Sequence, residues 1–209
     1  MNDELLNKDL LEIFSTDNFE ENGGVHITGT DWYADDLKIE FAINPGDSNQ
    51  NQLWEIQIEG VREDLIKSEF ADKLELLEEH PLLWTFNQVE TELYFTNRTE
   101  KPHELFTSIY EIHMRETRRW LDLKKFINSK VSLIDLCKSN SGQFARGPIK
   151  LMEKYGEELD KHKMSPSFYG RHNPKRWTNN QWVEETEPLK VLVIGQSYVV
   201  AEKFDFKRV

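Results

Sequence analysis

Cysteine is nearly missing from this chain: Cys137 is the only one among 209 residues. No internal disulfide can form, so an oxidising compartment is not required and a reducing cytoplasm is the expected setting. Long apolar runs are missing too. No stretch of roughly eighteen apolar residues is present to cross a membrane as a helix. The first residues, MNDELLNKDLLEIF, carry acids where a secretory leader carries bases. No membrane partner is expected. Asn97-Arg98-Thr99 spells a glycosylation sequon, which without a leader reads as chance.

Motifs that carry chemistry at a fixed spacing are equally scarce. SGQFARGPIK places Gly142 and Gly147 like a phosphate-cradling loop, but Pro148 follows with no backbone N–H and no Ser or Thr comes after it. VLVIG, ending at Gly195, resembles the strand before a dinucleotide turn, yet too little chain follows to complete a βαβ unit. No G-x-S-x-G elbow occurs. His26, His80, His103, His113, His162 and His172 are scattered, with none in an H-x-H or i, i+4 arrangement. His113 and Glu116, three apart in a helical pattern, read as a surface hydrogen bond. Cys137 ends an apolar run and reads as a small buried hydrophobe. No metal and no cofactor is expected, and no catalytic residue can be assigned. No fixed-period repeat appears.

Aromatic residues are plentiful, with six Trp, six Tyr and twelve Phe, far too many for a disordered chain. Residues 3–14 carry Leu6, Leu10 and Ile13 on one helical stripe. Leu37, Ile39, Phe41 and Ile43, then Trp54, Ile56 and Ile58, alternate with polar residues, which predicts half-buried antiparallel strands. The polar connection NPGDSNQNQ, residues 44–52, predicts a hairpin between them. Apolar residues at 61–79 predict a helix on the sheet, HPLLWTF and ELYFT predict strands, and about 102–127 predicts a long helix. Pro148 opens a further helix with Leu151, Met152, Tyr155 and Leu159 on one face. KVLVIG and SYVVAEKFDF predict a closing hairpin that joins the first sheet.

The fold class implied is α+β, a mainly antiparallel sheet from N-terminal strands and a C-terminal hairpin with helices packed on it. All 209 residues are expected in one domain: N-terminal helix and strands about 1–97, a helical segment about 102–163, a loop about 164–188 and the hairpin about 189–206.

Charge is the one global asymmetry. Residues 1–100 hold 24 acids and 6 bases, whereas residues 101–209 hold 14 acids and 20 bases. The acidic half would steer basic proteins and oppose nucleic acid, and the basic half would favour phosphates or carboxylates. Arg115, Arg118, Arg119, Lys124 and Lys125 read as a solvated stripe of the long helix, offset by Glu111 and Asp122. A second cluster, Lys161, Lys163, Arg171, Lys175 and Arg176, has no acid between 161 and 177. Phe168, Tyr169 and Trp177 stand among these cations, so Phe168, Tyr169, Arg171, His172, Arg176 and Trp177 form the candidate ligand-binding set. Burial of the large rings, Trp177 above all, is expected to pin this loop.

A small acidic α+β chain without a catalytic motif is similar in architecture to bacterial immunity and inhibitor proteins, which work by binding another protein. That resemblance transfers no residue. Two functions follow. The first is a non-enzymatic interaction protein with an acidic face for a basic protein partner. The second is an enzyme or binder holding an anionic small molecule under the basic aromatic loop 168–177, with His172 available as an acid or base. Neither calls for nucleic acid.

Overall fold

In the computed structural model, residues 6–46, 51–178 and 180–209 are described. The first elements are α1 (Lys8–Phe14), α2 (Asp17–Asn22), β1 (Gly24–Tyr33), β2 (Asp36–Asn44), β3 (Gln52–Glu59), β4 (Glu63–Leu65), β5 (Phe70–Ala71) and β6 (Leu74–Leu77). Then come α3 (Trp84–Asn87), β7 (Glu90–Thr96), α4 (Pro102–Glu116), α5 (Leu133–Lys138), β8 (Ser141–Pro148) and α6 (Ile149–Lys161). The last are β9 (Ser165–His172), β10 (Lys175–Thr178), β11 (Gln181–Glu184), β12 (Lys190–Ile194), β13 (Ser197–Ala201) and β14 (Lys203–Arg208). Antiparallel strands with helices make this an α+β protein. The chain divides into two compact units, Met1–His80 with Glu187–Val209, and Pro81–Thr186. No helix among the described residues is long and apolar enough to cross a membrane.

The first unit contains two antiparallel sheets, ordered β14-β3-β2-β1-β5 and β4-β13-β12-β6. Alternation in the sequence sets the register of the larger one. Leu37 lies opposite Ile58, Ile39 opposite Ile56 and Phe41 opposite Trp54, all buried. Lys38, Glu40, Glu55 and Gln57 take the other face, as period two requires. Leu192, Ile194, Val199 and Ala201 of the smaller sheet share one apolar cluster with these residues, and Leu10 and Phe19 bring α1 and α2 onto it. Asn7 and Thr16 cap the two helices by accepting from the amides of Asp9 and Phe19. Residues 3–5 and 47–50, parts of the predicted first helix and hairpin connection, lie outside the described residues.

Three readings of this unit change. Residues 61–79 form β4, β5 and β6 instead of a helix. Leu74 and Leu76 are buried while Glu75 and Leu77 are half-buried, a period of two that a wide window blends into a helical one. HPLLWTF is a buried 3₁₀ turn at Pro81–Leu83 running into α3; His80 to Leu83 are all buried, so no strand face exists. The closing hairpin is present as β12 and β13, but it pairs with β6 and β4 in the smaller sheet, and only β14 joins the first strands, beside β3.

The second unit has a three-stranded sheet, β8-β7-β9, a separate hairpin β10-β11, and helices α3 to α6. Leu93, Phe95, Phe144, Leu105, Ile109, Met152 and Tyr155 are buried. The long helix stops at Glu116, where Arg118 and Arg119 take positive φ of 51° and 65°. The predicted cationic stripe is therefore broken: Arg115 pairs with Glu116, and Lys124 and Lys125 sit on a separate 3₁₀ turn. His113 is not on the surface with Glu116 but fully buried, 2.7 Å from the Tyr155 hydroxyl and 2.7 Å from the Leu121 carbonyl oxygen.

Candidate functional site

Strands occupy most of the segment expected as a loop. β9 pairs with β7, placing Phe168 opposite Leu93, Tyr169 opposite Glu92 and His172 opposite Glu90. Between the last two pairs β9 carries one extra residue, a bulge at Gly170 and Arg171. Gly170 has φ +67°, which a side chain would strain, and a Cβ there would meet His172 Nε2 at 2.8 Å. The Thr91 hydroxyl lies 3.1 Å from the Tyr169 carbonyl oxygen and 2.9 Å from that of Gly170, which fixes the bulge. Sequence alone hid this strand because its apolar residues stand on an edge where most positions are exposed.

The six predicted residues separate into three places. Phe168 lies against α6, where the absence of a side chain at Gly156 admits its ring, and with Arg171 it borders a recess reaching Glu153. Tyr169 meets Tyr94 edge to face at 5.3 Å on the opposite side of the sheet. Trp177 pairs across the hairpin with Trp182, ring centres 5.4 Å apart. The expected burial of Trp177 fails: it is 58% exposed and Trp182 65%. Strand parity explains it, since Lys175, Trp177, Trp182 and Glu184 share the outer face while Arg176 and Val183 are half-buried on the other. Asn179, at the tip, lies outside the described residues.

Of the six, His172 is the one that borders a broad cleft of this unit. It joins Asn173, Pro174, Lys175, Trp182, Arg146, Glu90 and Thr85 around a volume of about 600 Å³. Thr85, Glu90 and Arg146 also border an adjoining recess of about 490 Å³, where Lys125 and Lys130 stand. Arg146 donates to Glu90 at 3.2 Å beside the cleft. Thr85 Oγ1 is buried there with no hydrogen-bond partner among the described residues. The cleft is cationic, with one carboxylate already engaged.

The first unit offers a different surface, which no sequence motif announced. Leu6, Leu11, Phe14 and Phe19 of the helical segment face Leu74, Leu76 and Leu77 of β6 across an apolar groove of about 290 Å³. Glu20, Asp72, Lys73 and Glu75 complete its walls. Lys73 pairs with Glu75 at 2.7 Å, whereas Glu20 and Asp72 make no ion pair among the described residues. β6 is an edge strand, with β12 on one side only.

No family model, curated protein or solved structure matches this chain. What the surfaces can do therefore rests on their chemistry. Charge divides with the architecture: the first unit holds 24 acids and 9 bases, a formal −15, and the second 14 acids and 17 bases, +3. No group of three or more His, Cys, Asp or Glu placed so that it could hold a metal ion occurs among the described residues. Cys137 is fully buried, and burial pushes its thiol up to about 12, which makes it a poor nucleophile. Burial lowers the His113 pKa, partly offset by the Leu121 carbonyl and by Asp122, so the ring is held neutral inside the unit. Burial also raises the Tyr155 hydroxyl beside it. This pair is enclosed and serves packing.

Proposed function

We propose that the protein is a non-enzymatic interaction protein whose acidic first unit receives an extended basic segment of a partner protein. The observation that carries this reading is the leucine-lined groove beside β6, rimmed by the carboxylates of Glu20 and Asp72, which make no ion pair among the described residues. Apolar side chains of an entering segment would fill the groove, and its Lys or Arg residues would meet the rim. An edge strand adds main-chain pairing, the usual way a sheet accepts an extended peptide. The −15 carried by this unit supports the choice of a basic partner, because opposite charge raises encounter rates and rejects acidic competitors.

The test uses a peptide with alternating Lys and Leu, titrated against the protein and against Glu20→Lys/Asp72→Lys. The double variant is expected to bind roughly tenfold more weakly, as a loss near 1.4 kcal/mol gives. Binding to the unaltered protein should also weaken from low to physiological salt, since exposed charges are screened beyond about 8 Å there. Equal affinity for both proteins at both salts would dismiss the groove as the docking surface.

A further inference from the structure

The cleft beside the β10-β11 hairpin has a chemistry that docking of a basic segment does not use. Three side chains on its wall suit an anion: Arg146, Lys175 and His172. Lys175 and His172 make no ion pair among the described residues, and Arg146 commits one N–H contact to Glu90. A guanidinium has five N–H groups, so most of its capacity remains for a phosphate, which it grips in two-pronged fashion. The bulge at Gly170 matters here, because it turns the strand so that His172 stands opposite Glu90 at the cleft.

The remaining wall suits a flat ring. Trp182 borders the same cleft and is 65% exposed, an unusual setting for so large an apolar surface. Glu90, which also lines the cleft and engages Arg146 through one carboxylate oxygen, keeps its other oxygen as a hydrogen-bond acceptor. A cavity of about 600 Å³ falls within the range of small-ligand sites, roughly 300 to 1,000 Å³. A ligand that satisfies both walls carries an anionic group, a hydroxylated spacer and an aromatic ring.

We infer that this cleft binds a mononucleotide, with its phosphate held by Arg146, Lys175 and His172 and its base laid against Trp182. The inference stands apart from the docking groove, which belongs to the other unit. A free nucleotide is favoured over a strand because the formal charge of −12 opposes a long polyanion.

The experiment is calorimetric titration with AMP and UMP, with ribose phosphate and a short single-stranded RNA as comparison ligands. The proteins are the unaltered chain, Lys175→Ala, Trp182→Ala and Trp182→Phe, each checked for an unchanged melting curve. At least one nucleotide should bind with a Kd below about 1 mM, and ribose phosphate about tenfold more weakly, since it has no base to stack on the ring. Lys175→Ala and Trp182→Ala should each weaken binding by about fivefold or more, while Trp182→Phe, which keeps a ring face, stays within about threefold. Absence of binding by both nucleotides at about 5 mM overturns the inference. So does equal affinity for ribose phosphate, or an unchanged Kd in Trp182→Ala. RNA binding more than about tenfold tighter than either nucleotide would replace it with a nucleic-acid surface.

Discussion

His113 shows how one side chain couples burial, hydrogen bonding and pH. Leu121 offers only a carbonyl oxygen, so His113 Nε2 must donate to it, and Nδ1 then accepts from the Tyr155 hydroxyl. That arrangement describes a neutral ring, in agreement with the lowered pKa that burial causes. A base whose folded pKa lies below its unfolded value stabilises the protein fully above the unfolded pKa, about 6.5, and progressively less as pH falls through the window beneath it. The expected result is a fall in unfolding free energy between about pH 7 and 5, with the His113 ring resonance showing no titration at its ordinary pH. A ring that titrates at or above 6.5, the ordinary value, would mean that the enclosed pair is wrongly described.

The β10-β11 hairpin makes the contrast between charge and ring at the scale of an element. Its tryptophans face outward and meet edge to face, while Arg176 turns inward and is half-buried. A cross-strand aromatic pair contributes about 0.2–1 kcal/mol, so Trp177→Ala should lower stability by no more than that. Arg176→Ala, which removes a half-buried polar side chain from the inner face, should cost about 1–2 kcal/mol. Denaturation midpoints of the two variants give the order; a clearly larger loss for Trp177→Ala would show that the ring anchors the segment after all. Elements with one wet and one dry face were legible in the sequence. Thus β2 and β3 follow from Leu37 to Ile43 and Trp54 to Ile58, and α6 from Leu151 to Leu159. β9 was not legible, because Phe168 and Tyr169 are both largely exposed on an edge and leave no alternation to read. The end of α4 was hidden as well: Trp120, Leu123 and Ile127 continue a spacing of three to four after the helix has stopped at Glu116. The six candidate residues fall within the ten-residue stretch 168–177, but strand parity and a bulge send them to different faces. Arg146, Glu90 and Thr85, which meet His172 in space, carry no local signal at all.

Across the whole molecule, the charge asymmetry between the two halves of the sequence, −18 against +6, narrows to −15 against +3 when counted by unit, because residues 81–100 pass to the second unit and residues 187–209 return to the first. No change of composition marks the joins at His80–Pro81 and Thr186–Glu187, so the division depends on long-range strand pairing, β14 with β3 and β12 with β6. The two surfaces proposed for binding lie one in each unit and ask for ligands of opposite charge. A basic segment suits the groove of Glu20 and Asp72, and an anion suits the cleft of Arg146 and Lys175. The first assignment is the central claim, and amide chemical-shift mapping during titration with the alternating Lys-Leu peptide tests it most directly. The account predicts that the largest shifts fall on residues 6–20 and 72–77, with new protection of β6 amides. Shifts confined to other residues, or none at a peptide concentration of about 1 mM, would contradict it.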